Sequence, residues 1–470
     1  MIASSALLLL LHALSAPLPV LPPARAGMSA QRLARIDAVV LEAIERKETP
    51  GAVVLVGRRG NVVFRKAYGA RALVPEREPM TADTIFDLAS LTKAVATAPA
   101  VMTLVEDGKV RLSDRVVRYL PEFGAGGGAR ERVTIEDLLT HRSGLPPDDP
   151  MELYHGTREE IFARKYARPL AGEPGRRFVY SDVGYEVLAE LVSRVTGEGL
   201  DEYARRRLFA PLEMKETRFN PLAPRSPLPV SRIAPTERVD GAILRGIVHD
   251  PRARPLGGVA GHAGLFSTAD DVARFAMAIL AGGKGVLSPL GVAAMTRPRP
   301  GADGTLRGLG WDVETSYSSN RGDLLPLGSF GHSGWTGTSL WIDPATGLFV
   351  VILANRVHPD GSGNVVPLRS KVASVAASAL TDVSGEKIVE ATSWLVALTA
   401  PKEMPSSATP KTEAVSDGNV AAGVDVLVGR GFDAIAKKRV ALLTNRTGRT
   451  KDGLRTVDVL RSPGARAAGV

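Results

Sequence analysis

Segments typical of β-strands occur near both ends of the chain, and a long helical region separates them. Apolar, β-rich runs cover residues 52–56 and 62–68, and two more cover 339–342 and 348–353. The residues 58–61 join the early pair as a hairpin turn. Strands that bracket a helical insert predict one antiparallel sheet that is built from both ends of the chain.

Helical patterns account for most of the remaining sequence. Apolar residues recur at helical spacing between Ser29 and Lys47, with Ser29 as the N-cap, and a second helix is expected over 366–380. The middle of the chain is mostly helical, whereas residues 220–260 are rich in Pro and Arg and are expected to be irregular surface. We therefore expect an α+β fold, with terminal helices flanking the antiparallel sheet and an all-α lobe beside it.

The two ends of the chain differ in character from its body. Residues 1–26 combine an apolar run with Ala24-Arg25-Ala26, the small-residue pattern of an export signal, so we expect a periplasmic or secreted protein. No other segment is apolar enough to span a membrane after signal cleavage. A main domain is expected over 27–383 and a Pro- and Ser-rich linker over 384–420, followed by a short α/β fragment over 421–470.

Composition excludes several kinds of function. The chain has 470 residues and no cysteine, which rules out disulfides, thiolate metal sites and a cysteine nucleophile. Its net charge of +9 comes from scattered arginines, and aromatic residues make up only 5%, so we expect no nucleic-acid partner. We find no zinc helix, phosphate loop or dinucleotide motif, and expect no metal and no organic cofactor.

The first candidate for chemistry is Ser90-Leu91-Thr92-Lys93. Residues three apart lie on one face of a helix, so the Ser90 hydroxyl and the Lys93 amine are expected within reach of each other. A lysine in a dry site loses its proton more easily, and such a base activates a serine nucleophile. The spacing alone is weak, since Ser384 and Lys387 match it too.

Two further segments carry candidate site residues. Tyr180 and Asp182 stand just before a predicted helix, where a tyrosine beside a cationic lysine would ionise more easily. His332, Ser333 and Gly334 precede a strand expected from Trp335 to Ile342, whose edge would present a backbone N–H to an oxyanion. Each segment alone also has a purely structural explanation, with Tyr180 as a half-buried aromatic residue and His332 as a structural or surface histidine.

Taken in order, these segments resemble the serine β-lactamase and penicillin-binding peptidase superfamily, in its class C-related branch. The resemblance covers about residues 29–383 and includes the stretches 86–93, 138–145 and 258–268. It implies that Ser90 is the nucleophile and that Lys93 and Tyr180 share proton transfer, with the identity of the base left open. It further implies an oxyanion hole from the backbone N–H groups of Ser90 and Trp335, and substrate binding by Asp182, His332, Ser333 and Gly334.

Two departures from the family pattern bear on the substrate. Asp182 stands where the family often has Asn, and His332 where it often has Lys, so an amide donor is lost and a permanent charge becomes dependent on pH. Both changes favour D-peptidase-like or esterase-like chemistry on a small peptide, ester or muropeptide, with weak β-lactam hydrolysis at most. The alternative is a catalytically silent penicillin-binding-like module.

The tail carries a second resemblance. Residues 423–427 and 439–448 resemble the start of exo-β-N-acetylmuramidases, a family that hydrolyses cell-wall sugars. Only about fifty residues match, and the acidic active-site region of that family lies beyond residue 470. The resemblance implies an inactive, truncated domain, or alternatively part of a bifunctional peptidoglycan-recycling enzyme.

Overall fold

The computed structural model describes residues 17–224 and 227–386, together with the isolated residues 388, 389, 393, 430, 459 and 460. The chain divides at Ala400, and the fold described below belongs to the unit that ends there. Most of the predicted linker, and nearly all of the predicted muramidase-like fragment over 421–470, lie outside the described residues.

A nine-stranded antiparallel sheet forms the centre of the fold, with strand order β3-β2-β1-β14-β13-β12-β11-β10-β9. Its strands are β1 Gly51–Arg58, β2 Asn61–Ala72, β3 Glu78–Pro79, β9 Arg299–Pro300, β10 Leu306–Arg307, β11 Asp312–Glu314, β12 Phe330–Ser333, β13 Ser339–Asp343 and β14 Leu348–Ala354. A small three-stranded sheet consists of β4 Phe86–Asp87, β8 Leu265–Ser267 and β5 Arg218–Phe219. A two-stranded sheet pairs β6 Arg238–Val239 with β7 Ala242–Ile243.

Ten α-helices complete the described part of the unit. They are α1 Ala30–Leu33, α2 Arg35–Glu45, α3 Ala98–Glu106, α4 Ile135–Leu139, α5 Arg158–Tyr166, α6 Asp182–Thr196, α7 Leu200–Ala204, α8 Ala269–Leu280, α9 Pro289–Thr296 and α10 Val366–Ser378. Ser29 caps α1 through its side chain, as predicted, and Thr134 forms a capping box with Asp137 at the start of α4.

β14 and most of β1 are apolar because both faces of the sheet are covered there. Along β1, Val53 and Leu55 point into the core shared with the helical lobe, whereas Val54 and Val56 point into the core under the terminal helices α2 and α10. This alternation follows the two-residue period of a strand. An all-buried strand therefore reads as a continuous apolar run in the sequence.

The early and late strands pair directly, which confirms the prediction of a sheet built from both ends of the chain. In the β1–β14 register Val53 lies opposite Leu353, and the β1–β2 hairpin turns at Arg59 and Gly60. The sheet thus brings β14, β13 and β12 beside the N-terminal hairpin. The end of β12 comes to lie next to the segment that follows β4, where Ser90 is found.

Two local expectations differ from the structure. The strand predicted from Trp335 begins only at Ser339, because residues 334–338 form a turn in which Gly334 N donates to Thr338 O at 2.7 Å. Residues 220–260 are mostly irregular, as expected, apart from the short β6–β7 pair. They are not simply surface, because Ile233 and Val248 are buried. Pro and Arg content in that segment predicted the loop conformation but not its packing against the core.

Residues 17–26 pack against the N-terminal hairpin. Leu18 is buried, Leu21 N donates to Val62 O at 3.0 Å, and Val62 N donates to Pro19 O at 2.8 Å. These ten residues were predicted to be the end of an export signal, and in the structure they belong to the folded unit. In the described part of the chain, no helix has the length and apolar character required to cross a bilayer.

Candidate active site

The backbone before Ser90 is held in a high-energy conformation. Ala89 has a φ of +46°, a left-handed value that a residue with a Cβ adopts at a cost. The buried Asp87 carboxylate accepts the N–H of Ala89 at 2.8 Å and that of His249 at 2.7 Å. This anchoring turns the chain sharply from β4 into the next helical turn and leaves Ser90 at the start of that turn.

Ser90 and Lys93 come together as their spacing predicted. Lys93 N donates to Ser90 O at 3.1 Å, which places both side chains on one face, and Lys93 Nζ donates to Ser90 Oγ at 2.9 Å. Residues Lys93–Thr97 form a single π-helical turn before α3, and all of them are buried. The irregular turn is of the kind found at functional sites.

The Lys93 amine nitrogen contacts three oxygen atoms. Besides Ser90 Oγ, it contacts the carbonyl oxygen of His262 at 3.0 Å and Asp182 Oδ1 at 2.6 Å. The lysine side chain is fully buried, and that of Asp182 is 19% exposed. Contact with a carboxylate favours the charged form of an amine, so this environment matches a protonated lysine.

Tyr180 is positioned by stacking on a buried histidine. The His141 ring lies 4.5 Å from the Tyr180 ring and 4.9 Å from that of Tyr185, centroid to centroid. Its Nδ1 accepts the N–H of Ser181 at 3.0 Å, which fixes the chain just after Tyr180. Lys93 Nζ lies 5.0 Å from the centroid of the Tyr180 ring, within reach of a cation–π interaction.

The electrostatic environment keeps protons on both candidate bases. Burial alone would lower the pKa of Lys93, but the Asp182 carboxylate and Tyr180 outweigh it and raise that pKa above its usual value. Burial likewise raises the pKa of Tyr180, and the neighbouring Lys93 opposes this only in part. The expectation that dry surroundings and a neighbouring cation would deprotonate these groups is therefore wrong for the resting site.

The turn after β12 is tied to the nucleophile segment. Thr336 Oγ1 donates to Asp87 O at 2.7 Å, and Thr338 Oγ1 donates to Leu88 O at 2.8 Å. A side chain at Gly334 would overlap the carbonyl oxygen of Leu88, so glycine is required for this approach. The turn thus brings the backbone of Trp335, whose side chain is largely exposed, to the same cavity as Ser90.

His332 lies on β12 beside Tyr180, with the two ring centroids 6.0 Å apart. Its Nδ1 contacts the carbonyl oxygen of Ser333 at 2.8 Å. Burial, with Arg307 and Lys93 nearby, lowers the pKa of His332 well below its usual value. The imidazole is therefore neutral at physiological pH, which argues against the pH-dependent charge that the sequence suggested for it.

A cavity of about 390 Å³ opens in front of Ser90. Ser90, Tyr180, His332, Ser333, Gly334 and Trp335 line it, so it gathers most of the residues singled out by sequence. Asp182 lies behind it, on the far side of Lys93. Three arginines, Arg307, Arg356 and Arg369, also line the cavity, against one carboxylate, Asp312.

Two of these arginines form no salt bridge in the described residues: Arg356, which donates to the carbonyl oxygens of Trp335, Gly361 and Gly363, and Arg369. Arg307 pairs with Asp312 at 3.2 Å, whereas the buried Arg369 donates only to Gly334 O at 2.6 Å and Asn320 Oδ1 at 3.3 Å. Its Nε makes no hydrogen bond. Burial and the neighbouring Arg356 lower the pKa of Arg369 to about 9, a shift that a bound anion would oppose.

Behind Lys93 lies a group of ionisable side chains with metal-like spacing. Asp182, Asp250 and His262 each offer one ligand atom within 4.8 Å of the others. However, Asp182 already pairs with Lys93, and His262 lies between Asp250 at 3.1 Å and Glu186 at 3.3 Å. Each of the three side chains thus lies within 3.3 Å of another ionisable side chain of the protein.

Comparison with known proteins identifies the family. The sequence profile of the Beta-lactamase family matches residues 36–373. The chain belongs to the Beta-lactamase family. It is a serine hydrolase of that family, and its central antiparallel sheet with flanking helices is the β-lactamase/transpeptidase-like fold.

Three similar proteins illustrate the range of the Beta-lactamase family. A "Putative D-alanyl-D-alanine carboxypeptidase" of Salmonella agona is 33% identical over 76% of this chain and 91% of its own length. An "N-acetylmuramyl-L-alanine amidase" of Bacillus subtilis is 34% identical over 71% of this chain and 83% of its own. The solved structure of EstCE1, "a hydrolase with promiscuous acyltransferase activity", covers 74% of this chain and 99% of its own at 26% identity, with a TM-score of 0.62.

Sequence reasoning missed the arginines of the cavity and the support behind the nucleophile. Arg369 had a readable signal: it lies on the same stripe of α10 as the buried residues Val372, Ala373 and Ala376, where a charge is unusual. His141 and Asp87 lie inside family-like stretches that we quoted without assigning roles. Arg307 had no local signal, because its place in the cavity depends on tertiary packing.

Proposed function

We propose that the protein is an exported hydrolase of cell-wall peptides that forms an acyl-enzyme on Ser90. The observation that carries the proposal is the 2.9 Å contact between Ser90 Oγ and the buried Lys93, at the floor of a cavity with an excess of arginines. Attack by Ser90 Oγ on an amide or ester carbonyl transfers the hydroxyl proton to Lys93 or Tyr180, after that group has lost its own proton to solvent. The same proton goes to the departing amine or alcohol, and water then releases the acyl group.

The remaining roles follow from position around that reaction. The backbone N–H groups of Ser90 and Trp335 are proposed to stabilise the oxyanion of the tetrahedral intermediate. His332, Ser333 and Gly334 form the wall along which a peptide substrate would lie, with Asp182 behind the reacting serine. We leave open whether Lys93 or Tyr180 takes the proton, since both are protonated in the resting site.

The arginines favour a substrate that ends in a carboxylate. With His332 neutral, charge recognition in this cavity falls to Arg369 and Arg356, and a guanidinium pairs well with a carboxylate. Peptides that end in D-alanine carry such a group next to the bond that a carboxypeptidase cuts. We therefore propose removal of a terminal D-amino acid as the principal reaction and expect β-lactams to be poor substrates.

The test is digestion of a purified disaccharide pentapeptide by the wild type and by Ser90→Ala, with products identified by liquid chromatography and mass spectrometry. We expect loss of one terminal D-alanine with the wild type only. Release of the whole peptide from the sugar would instead favour amidase chemistry, like that named for the Bacillus subtilis relative. An unchanged muropeptide in both reactions would overturn the cell-wall substrate.

A catalytically silent module is the rival proposal, and labelling with a fluorophosphonate tests it directly. An adduct on the wild type that is absent from Ser90→Ala would exclude it. For location we propose the periplasm or the medium, in keeping with the relatives' cell-wall names. Because residues 17–26 pack on the fold, we place the end of the leader before Pro17.

A further inference from the structure

We infer that Asp182 is a positioning residue that keeps the base of the site, Lys93 or Tyr180, protonated at rest. It thereby sets the pH range in which Ser90 reacts. The inference deepens the proposed function and rests on Ser90 being the nucleophile. It starts from the ion pair between Asp182 Oδ1 and Lys93 Nζ, 2.6 Å apart, with the lysine fully buried.

The position of Asp182 in the fold places its carboxylate at the N-terminus of a helix. Asp182 is the first residue of α6, whose N-cap Ser181 accepts the N–H of Gly184 at 3.1 Å. The positive end of a helix dipole stabilises an anion there. Its backbone N–H donates to Pro147 O at 2.8 Å, so the residue is fixed in place between the 140s loop and α6.

The ion pair has a direct consequence for the nucleophile. Ser90 Oγ can lose its proton only to a group with a free lone pair. Because Lys93 is ion-paired with Asp182 and donates to both His262 O and Ser90 Oγ, the lysine presents a proton to the serine instead of a lone pair. Reaction must therefore begin from the minority of molecules in which Lys93 or Tyr180 has given up its proton.

The sign of the effect does not depend on which group is the base. The charge on Asp182 raises the pKa of Lys93 and also raises that of Tyr180. Four other ionisable side chains surround Lys93 on the cavity side, Tyr180, Tyr185, His141 and His332, and none of them is an anion in the resting site. On the opposite side, His262 and the carboxylates of Asp250 and Glu186 lie beyond Asp182, which is the carboxylate in direct contact with Lys93. Removal of the Asp182 charge therefore makes either base easier to deprotonate.

The experiment measures how fast a fluorophosphonate modifies Ser90 between pH 5 and 10, and needs no knowledge of the natural substrate. In that reaction Ser90 Oγ bonds to phosphorus, fluoride leaves, and the hydroxyl proton goes to the base. An opposite charge in contact shifts a pKa by about 1–3 units. In Asp182→Asn we therefore expect the acid limb of the pH–rate profile, where the rate rises with pH, to lie about 1–3 pH units lower than in the wild type. Asp182→Glu, which keeps the charge, should leave the limb near its wild-type position.

Asp270→Asn is the matched control. Asp270 also lies in the first turn of a helix and pairs with a basic side chain, Arg65 at 2.5 Å, away from the cavity. The acid limb of the pH–rate profile of Asp270→Asn should coincide with that of the wild type. An unmoved limb in Asp182→Asn, or one moved to higher pH, overturns the inference, whereas absence of any Ser90 adduct in the wild type would overturn the proposed function instead.

The wild type itself supplies a second test should Asp182→Asn fail to fold. If Asp182 holds the base protonated, the wild-type rate must still be rising above about pH 8, since unperturbed lysine and tyrosine titrate near 10. A wild-type limb that is complete below about pH 7 would contradict the inference without any variant.

Discussion

Replacement of Asp87 by alanine tests whether the strained backbone before Ser90 is held by that one carboxylate. The substitution leaves two buried donors, Ala89 N and His249 N, without acceptors. An unsatisfied buried donor costs about 1–3 kcal/mol, so we expect the free energy of unfolding to fall by about 2–6 kcal/mol. Asp87→Asn retains one acceptor oxygen and should lose about half of that.

The same change should damage catalysis in the molecules that remain folded. The left-handed Ala89 conformation, with φ at +46°, relaxes once its anchor is removed, and this displaces Ser90 Oγ and its N–H. Misplacement of a reacting group by about 1 Å costs about 100-fold in rate, so we expect kcat on a simple ester to fall by about 10- to 100-fold. Denaturant unfolding and ester hydrolysis measure the two effects separately.

Asp343→Ala is the matched control for stability alone. Asp343 is equally buried and accepts from Ala345 N at 3.1 Å and Thr346 Oγ1 at 2.5 Å, in the β13–β14 turn at the end of the sheet away from Ser333. It should lower stability comparably and leave kcat of the folded protein unchanged. The reasoning is refuted if Asp87→Ala loses stability but retains wild-type kcat, or loses neither.

Three further predictions concern charge. Arg369→Gln should raise KM for a carboxylate-terminated peptide by about 10-fold or more, because a charged hydrogen bond contributes about 1.5–3 kcal/mol. KM for a neutral ester should change far less, and an equal rise in KM for both substrates would contradict the anion site. His332→Gln should leave the shape of the pH–rate profile between about pH 5 and 8 unchanged, since the wild-type imidazole is already neutral there. A pH dependence in this range that is present in the wild type and absent from His332→Gln would show that the imidazole titrates there. Burial raises the pKa of Asp271 to about 6, so the folded state binds more protons than the unfolded state and stability falls as pH rises from about 4 to 6. This pH dependence amounts to up to roughly 3 kcal/mol in the free energy of unfolding, and Asp271→Asn should remove it in unfolding curves measured across this range. The same pH dependence in both proteins would contradict the raised pKa of Asp271.

The sequence predicted the sheet because its strands are simple local signals. β1 and β14 are buried on both faces and read as apolar runs, and antiparallel pairing of the two ends is the compact way to cover them. Ser90 and Lys93 were predictable for a similar reason, since their contact depends only on a three-residue spacing. The 2.9 Å distance between Ser90 Oγ and Lys93 Nζ follows from one helical turn.

Properties that arise between distant segments could not be read in this way. The resting protonation of Lys93 depends on Asp182, and the charge of the cavity depends on Arg307 and Arg369, which come from separate elements. The start of β13 was misplaced because Thr336 and Thr338 bond to Asp87 and Leu88, so the apolar Trp335 lies in a turn. Local pattern carries no information about such contacts.

The central claim is that Ser90 carries the acyl group during turnover. Rapid-quench intact-protein mass spectrometry with an ester or thioester of an acyl-D-alanine tests it most directly, on the wild type, Ser90→Ala and Ser384→Ala. The account predicts a transient mass increase equal to the acyl group in the wild type and Ser384→Ala, mapped by peptide sequencing to Ser90, and none in Ser90→Ala. An adduct that persists in Ser90→Ala, or turnover without any adduct, would contradict it.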